Sequence, residues 1–532
     1  MKKLLFTFLM ILFTFPAFAQ EIVEGDITTN RVLTNNNSYL LRGFVRIQPG
    51  ATLTIEPGTI IFGENSSQGT LIVKPGGTLI ADGTVNQPIV FTSEFAKQGS
   101  NRTPTYGDWG GIIVLGNAPI NVPGGTASIE GPGDSYGGNN PEDNSGIIRF
   151  VRIEYSGIPF SLNNEINGLT MGGVGSNTII EYVQVSFCGD DSFEWFGGNV
   201  NAKYLVANRG WDDDFDTDFG YSGKLQYLVS LRDPEIADQS SSNGFESDND
   251  GTGSDNSPLT SPTWYNVTMV GPKQTSTTVI NSLYRRGMHL RRNSQNKIHN
   301  TIVMGWPTGV LLDGSKTING AINGTNYIKN SIVSGSNVNK NLDTVSASGA
   351  NLNIGTLFAN SGGRVFDSNT EVMLTNPFSF SSPDFRPVAG SPALSGAATP
   401  PNDGFFDQAA TFVGAFGSVD WTAGWTNWNP IGYPTTSVEN ENGILTTFEL
   451  KQNYPNPFNP TTTIRFTIPE AGNVKLTVYN LLGQEVAALI NEFRNAGTYE
   501  ANWDASSLAS GIYTYRLETG SNSFTRKMSL LK

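Results

Sequence analysis

From Ile180 to Asp250 the chain repeats one hydrophobic and polar pattern three times. Ile180-Glu-Tyr-Val-Gln-Val185 precedes Gly189-Asp-Asp-Ser-Phe-Glu-Trp195, Lys203-Tyr-Leu-Val-Ala207 precedes Trp211-Asp-Asp-Asp-Phe-Asp-Thr-Asp-Phe219, and Gln226-Tyr-Leu-Val-Ser230 precedes Gly244-Phe-Glu-Ser-Asp-Asn-Asp250. Tyr182, Tyr204 and Tyr227 stand 22 and 23 residues apart. Self-similarity at such a period marks a stacked repeat. Short β-branched and aromatic runs split by Gly, Asn and Asp make each repeat two or three strands joined by tight turns. The pattern predicts an all-β chain wound as a parallel β-helix. In that architecture a residue lies about 4.8 Å above its counterpart one coil earlier, and side chains alternate inward and outward along the strand. Phe193, Phe215 and Phe245 are expected to stack inside, as are Trp195, Thr217 and Ser247. Glu194, Asp216 and Glu246 then form an outward column, with Phe196, Asp218 and Asp248 in the next.

The same alternation opens the chain. Val45-Arg-Ile47-Gln-Pro-Gly50 is echoed by Leu71-Ile-Val73-Lys-Pro-Gly76, with the two Pro-Gly pairs 26 residues apart. Strands broken by Pro-Gly read as β turns and exclude helix. Pro88–Ser93 and Asp108–Leu115 continue the winding, and a Gly, Pro and Asn-rich excursion over 123–146 reads as a surface loop. Asn266, Asn300 and Asn330 take equivalent places in later coils, where their amides would either stack into a ladder or face solvent at a turn. The alternation ends before a Pro, Thr and Asn-rich linker at 429–443. Residues 444–532 then read as about seven strands of a small Ig-like sandwich, among them Thr463–Ile468, Val474–Tyr479, Thr498–Trp503 and Gly511–Leu517.

Two resemblances follow from these motifs. Pro57-Gly-Thr59, Pro88-Ile-Val-Phe-Thr92 and Trp109-Gly-Gly111 resemble the opening of right-handed β-helix proteins secreted by Gram-negative bacteria. Pro383-Asp-Phe-Arg-Pro387, Gly390-Ser-Pro392, Gly414-Ala-Phe-Gly417 and Asp420-Trp-Thr422 resemble their C-terminal close. That likeness implies the fold of residues 20–428 more than a function. Asn453-Tyr-Pro-Asn-Pro-Phe458-Asn-Pro460, Val478-Tyr-Asn-Leu-Leu-Gly-Gln484, Gly511-Ile-Tyr513 and Lys527-Met-Ser-Leu-Leu-Lys532 resemble the type A C-terminal sorting domain of the type IX secretion system. This second likeness implies partnership with that secretion machinery and passage across the outer membrane. It further implies a body released or held at the cell surface.

Composition narrows the partners. The 532 residues carry a formal net charge of -14 with 15% charged residues, which makes nucleic acid and anionic membranes poor candidates as partners. Lys2 and Lys3, an apolar run from Leu4 to Phe15 and Ala17-Phe18-Ala19 read as a secretory leader over 1–19. That run is too short to span a bilayer, and no mature transmembrane segment is expected. The single Cys188 excludes an internal disulfide and reads as a small buried residue. Acidity is segregated: Gly189 to Asn256 holds 15 Asp or Glu against 4 Lys or Arg, whereas Ser257 to Leu312 holds 6 bases and no acid.

A column of carboxylates at coil spacing is unfavourable unless something answers the charge. Three readings follow. Glu194, Asp214, Asp216, Asp218, Glu246, Asp248 and Asp250 offer hard oxygen ligands that suit Ca²⁺. Asp214, Asp216 and Asp218 are expected on one strand face, and Glu246-Ser-Asp248-Asn-Asp250-Gly251 has a partial calcium-loop spacing. Such a face fits extracellular binding or adhesion, to a glycan or another surface ligand. Alternatively, Gly189-Asp190-Asp191 resembles the Gly-Asp-Asp of β-helical polygalacturonases, in which paired carboxylates cleave a glycosidic bond. The likeness is incomplete: Gly287-Met-His289 and Arg291-Arg292 are the only counterparts of that family's other motifs. A lyase acting on an acidic polysaccharide would combine Ca²⁺ with Arg291 or His289 as base. The third reading is a solvated acidic face that blocks lateral pairing. Trp195, Trp211 and Trp264 could offer sugar-stacking faces, although a Trp at an inward position belongs to a core. His289 and His299 do not make a zinc site.

Overall fold

The computed structural model describes residues 20–161, 164–336, 341–345, 352–434, 449–453, 455–468, 472–494, 497–520 and 522–531. The expected leader at 1–19 and most of the linker lie outside the described residues. The chain divides into two compact units, Met1–Ser437 and Val438–Lys532.

In the first unit 25 strands join one continuous sheet, and successive coils pair in parallel. The opening echo is an exact coil offset: Thr52, Leu53 and Ile55 pair with Thr78, Leu79 and Ala81. The acidic coils adopt the register that alternation implies. Phe193, Glu194, Trp195 and Phe196 pair with Phe215, Asp216, Thr217 and Asp218. Phe215, Asp216 and Thr217 pair in turn with Phe245, Glu246 and Ser247. Phe193, Trp195, Phe215, Cys188 and Trp264 all belong to the buried core that runs the length of the coil. An aromatic column of this kind suits coil spacing, since rings 5.5 Å apart and 20° from parallel, as in Phe193 and Phe215, attract one another.

The long strands Gly146–Glu154, Ile179–Ser186, Ala202–Asn208, Lys224–Leu231, Thr263–Val270 and Lys297–Met304 stack coil upon coil. Each bends at one residue with a left-handed backbone: Phe150, Tyr182, Tyr204, Tyr227, Asn266 and Asn300, with φ between 48° and 63°. Asn330 continues the series at φ 50°. The tyrosine repeat and the asparagine repeat are therefore one column, and its bend splits each long strand into two sides of the coil. The left-handed conformation costs roughly 1–2 kcal/mol for most residues. In the aromatic coils it is offset by stacking, with ring centroids 4.2 Å apart between Tyr182 and Tyr204 and 4.9 Å between Tyr204 and Tyr227. Asparagine tolerates the conformation by itself.

Neither alternative for the asparagine amides is what forms. Beyond Phe366 the chain returns along this column toward the first coils and takes up the amides one by one. Asn330 Nδ2 donates to the Gly396 carbonyl at 2.9 Å, and Asn300 Nδ2 donates to the Ala398 carbonyl at 2.8 Å. Ala398 N donates back to Asn300 Oδ1 at 2.8 Å, and Asn266 Nδ2 donates to the Phe412 carbonyl at 2.7 Å. Trp421 and Trp425 then meet Tyr204 and Tyr182 edge-on, at 5.4 and 5.9 Å. Tyr433 finally donates through its hydroxyl to Glu154 at 2.7 Å, and its backbone N–H donates to the Ala96 carbonyl. The segment that resembles a C-terminal close is thus a strap running against the winding. It remains bound at Tyr433, inside the stretch expected to be linker from 429.

The second unit packs two antiparallel sheets on a shared core. Glu449–Leu450, Thr461–Ile468 and Gly497–Asp504 form one; Gly472–Tyr479, Glu485–Arg494, Gly511–Thr519 and Asn522–Leu530 form the other. This is the small β-sandwich that the alternation implies.

Asn300 tests the strap. Asn300→Ala adds left-handed strain and leaves the half-buried N–H and carbonyl of Ala398 without this partner, so the body should lose roughly 2–4 kcal/mol in a urea titration. Asn300→Gly removes only the hydrogen bonds and should lose less. Equal losses would mean that the left-handed backbone contributes nothing.

Candidate functional site

The outward face of the acidic coils is built from two elements in each turn. The strands Leu169–Val174, Phe193–Gly198, Phe215–Asp218, Phe245–Ser247, Arg286–Leu290 and Thr308–Asp313 lie in sequence. Along them runs the column Thr170, Glu194, Asp216, Glu246, His289 and Leu311. The turns that enter these strands add Asp190, Asp191, Asp212 and Asp213.

The column has two halves. In the later half basic residues answer the acids. Arg291 pairs with Glu246 through Nη2 and with Asp248 through Nε at 2.8 Å, and Arg292 Nη1 reaches Asp248 at 2.7 Å. His289 lies between Glu246, at 3.5 Å, and Asp313, at 3.2 Å. Burial pushes the Glu246 carboxyl up, yet His289 and Arg291 outweigh it and hold it below its ordinary value. Burial likewise opposes charge on Arg291, but Glu246 and Asp248 raise its pKa above normal. A guanidinium locked in this way is a poor general base. Asp250 takes no part in the column: it accepts from Thr252 and Ser254 within its own turn, and although burial pushes it up these bonds lower it to about 2. The partial calcium-loop spacing from Glu246 to Asp250 therefore leads to two environments, with Glu246 and Asp248 shared on Arg291 and Asp250 in its own turn.

In the earlier half no described basic side chain pairs with the acids, and the pull of Arg291 on Asp216 and of Arg232 on Asp212 is outweighed. Among the described residues Asp190, Asp191, Glu194, Asp212, Asp213 and Asp216 form no ion pair with Lys or Arg. Burial, followed by repulsion from neighbouring carboxylates, raises Asp190, Asp191, Asp213, Glu194 and Asp216 well above the carboxylate range. Asp212 is raised to about 7 and Asp218 to about 8, chiefly by burial. Asp191 Oδ1 accepts the Asp213 N–H at 2.8 Å, and Asp216 Oδ1 is buried without a hydrogen-bond partner. One carboxylate oxygen from each of Asp191, Glu194 and Asp216 lies within 4.8 Å of the others, and the same holds for Asp190, Asp191 and Asp212. Oxygens on opposite sides of a Ca²⁺ ion sit about 5 Å apart at metal–oxygen distances of about 2.3–2.6 Å, so both groups fit a hard divalent cation.

Asp214 departs from the expected strand face. It precedes the strand, turns inward and is fully buried against the equally buried Arg232, Nη1 to Oδ1 3.0 Å. Alternation does not extend through the turn. Arg232 also donates to the carbonyl oxygens of Gly210 and Asp212 and lies over the rings of Tyr284 and Trp306. It thereby fixes the turn that carries Trp211 and Asp212.

Glu130 is the residue that pattern reading missed. The excursion over 123–146 is not merely surface: Ile129 and Tyr136 are buried, and Ala127–Ser128 pairs with Ser135–Tyr136. It delivers Glu130 beside Glu194, where Asn167 Nδ2 donates to both carboxylates, at 2.6 Å to Glu130. Burial raises Glu130 to about 7. No local pattern announces this residue, because its partners lie 37 residues and more further on. Past Arg291 an open cavity of ≈ 450 Å³ is lined by Arg291, Arg292 and Lys316. His299 stands elsewhere, stacked on Tyr265 and lowered by burial to about 4.

Comparison with known families agrees with this architecture. A family model described as a pectate-lyase-like β-helix domain matches residues 25–369, and the chain belongs to that family. A secretion system C-terminal sorting domain matches residues 452–530. The chain is thus a secreted parallel β-helix protein whose sorting domain directs it through the type IX machinery to the cell surface or the extracellular space. No curated protein matches it. Among the described residues no helix is long and apolar enough to cross a membrane.

The buried pair supplies a test of how the site is held. Arg232→Ala leaves Asp214 charged and alone in the core and should cost about 3–5 kcal/mol in a denaturant titration. Replacing both partners, Arg232→Met with Asp214→Leu, should recover most of that loss. Failure of the double variant to recover would mean that the Arg232 bonds to the backbone carbonyls dominate.

Proposed function

We propose that the protein is an extracellular binding module that holds Ca²⁺ on the earlier half of the acidic column and uses it to grip an anionic polysaccharide. One observation carries the reading: Asp191, Glu194 and Asp216 converge from adjacent coils with no basic partner among the described residues. Asp191 and Glu194 come from one coil and Asp216 from the next, with Asp190 and Asp212 alongside. Bound Ca²⁺ would supply the missing positive charge, and since it accepts six to eight oxygens it would keep positions for the carboxylates of a uronate chain.

A second reading, cleavage of the bound chain, is favoured by Glu130 and Asp212. Both are raised to about 7, where a carboxyl serves as general acid or base. New reducing or unsaturated ends from polygalacturonate or alginate, lost in Asp191→Asn, would establish it. Retention of both polymers without new ends would leave binding as the activity.

The thermal midpoint of the full chain tests calcium. A ligand that binds only the folded state stabilises it by about 2.7 kcal/mol at a hundredfold excess over Kd. Calcium should raise the midpoint in wild type and not in Asp216→Asn. The pH dependence has a defined sign. Raised folded-state pKa values mean that protons bind the folded chain more tightly than the unfolded one. Their stabilisation is complete below about pH 4 and is lost as pH climbs through about 7 to 8, the values of Glu130, Asp212 and Asp218. In chelator the midpoint should therefore fall between about pH 5 and about pH 8, and calcium should restore it at the upper end. A midpoint in chelator that rises over this range would sink the proposal.

A further inference from the structure

Of the three tryptophans singled out by pattern, Trp195 and Trp264 are core residues, exposed 0% and 2%, whereas Trp211 is 37% exposed. It lines an open cavity of ≈ 450 Å³ together with Tyr106, Glu235, Ile236 and Asn281. Small-molecule sites occupy roughly 300–1,000 Å³ and combine aromatic walls with a few polar groups. We infer that this cavity is a subsite for a neutral pyranose, with Trp211 as the stacking platform and Glu235 and Asn281 as partners for ring hydroxyls.

The indole is held before any ligand arrives. Its Nε1 donates to the Ala237 carbonyl at 3.0 Å, and Tyr106 meets it edge-on at 6.0 Å and 62°. Tyr106 is braced in turn by Phe187 at 5.7 Å. The Trp211 backbone is fixed through its N–H to the Cys188 carbonyl and through its carbonyl, which accepts from Ser242 Oγ at 2.8 Å. A ring so restrained loses little rotamer freedom on binding, which is why fixed aromatic residues make efficient contact surfaces. A Trp held only for packing would have no reason to leave more than a third of its surface open beside a cavity of this size.

Charge selects the sugar class. Glu235 is exposed and makes no ion pair among the described residues, so its carboxylate is available to accept from hydroxyls. Asn281 offers an amide at the same wall, partly engaged with the Glu235 carbonyl at 3.2 Å and the Leu283 N–H at 3.0 Å. No Lys or Arg lines the cavity. A uronate would meet Glu235 with repulsion, and a neutral hexose or pentose would not. Trp211 and Asp212 are consecutive, so the neutral subsite abuts the acidic column. A polysaccharide alternating charged and neutral sugars could occupy both. The inference rests on the glycan-binding reading for its ligand class and is independent of calcium.

Calorimetric titration of the full chain with cellotetraose, mannotetraose and xylotetraose, each in chelator and in calcium, tests it. At least one should bind with equal affinity in both conditions. Trp211→Ala should weaken that binding roughly tenfold or more. Trp211→Phe should retain most of it and remove the change in tryptophan emission that accompanies binding to wild type. Glu235→Gln should admit tetragalacturonate in chelator, which wild type excludes. If no neutral tetrasaccharide binds, or if binding survives Trp211→Ala in a protein of unchanged thermal midpoint, the subsite does not exist. Loss of tetragalacturonate binding in Asp216→Asn with cellotetraose, mannotetraose or xylotetraose still bound would concern the calcium site alone.

Discussion

Parallel coiling imposes one constraint on everything else in this molecule: each side chain lies directly above its counterpart one coil earlier, so like is stacked on like. Where the repeated residue is aromatic the constraint is favourable, and the Phe193, Phe215 column inside and the Tyr182, Tyr204, Tyr227 column at the bend both use it. Where the repeated residue is a buried carboxylate the same geometry is costly, and the column must find countercharge, bind protons or take a cation. The left-handed bend poses a third problem. Its asparagines present amide N–H groups, and the returning strap supplies a carbonyl for each of Asn266, Asn300 and Asn330 and an N–H for Asn300.

How far this was legible in the sequence depended on whether a signal had a period. The inward and outward columns follow from strict alternation, and the observed register matches residue for residue from Phe193 to Ser247. Alternation fails at turns, which is why Asp214 reads as a member of the outward face and is instead the partner of Arg232. Glu130 was illegible because an excursion with no period of its own brings it to Glu194. The tyrosine and asparagine repeats were each visible, but their identity as one left-handed column was not. It depends on backbone angles that the two residue types reach for different reasons, stacking in one case and intrinsic tolerance in the other.

The segregation of charge along the chain acquires a structural meaning. Of the basic run from Arg285 to Arg292, Arg291 and Arg292 fold back on the coil beneath, whereas Arg285 bonds to the carbonyls of Ser282 and Tyr284 in its own turn. Arg291 and Arg292 both pair with Asp248, 43 and 44 residues earlier, and Arg291 also with Glu246, all one coil away in space. The neutralisation stops there. Among the described residues the carboxylates Asp190, Asp191, Glu194 and Asp216 of the two preceding coils form no ion pair with a basic side chain, and burial and mutual repulsion outweigh the more distant pull of Arg291 on Asp216. A solvated acidic face would not be buried, so the third reading of the sequence is the one least compatible with Asp191 and Glu194 being only 8% and 9% exposed.

Export bears on what can settle such a cluster. The sorting domain delivers the body to the cell surface or beyond. Extracellular calcium modules work with dissociation constants of about 10⁻⁴–10⁻³ M, far weaker than intracellular sensors need. Asp191, Glu194 and Asp216 supply only part of a full coordination shell, which would make a weak site, but a weak site is sufficient outside the cell. Its incompleteness would then be useful, because the positions left on the ion are those a polysaccharide carboxylate would take. On this reading the repulsion stored in the column and the capacity to bind an anionic chain are two aspects of the same arrangement. The turn that Arg232 anchors keeps the Trp211 cavity directly beside it.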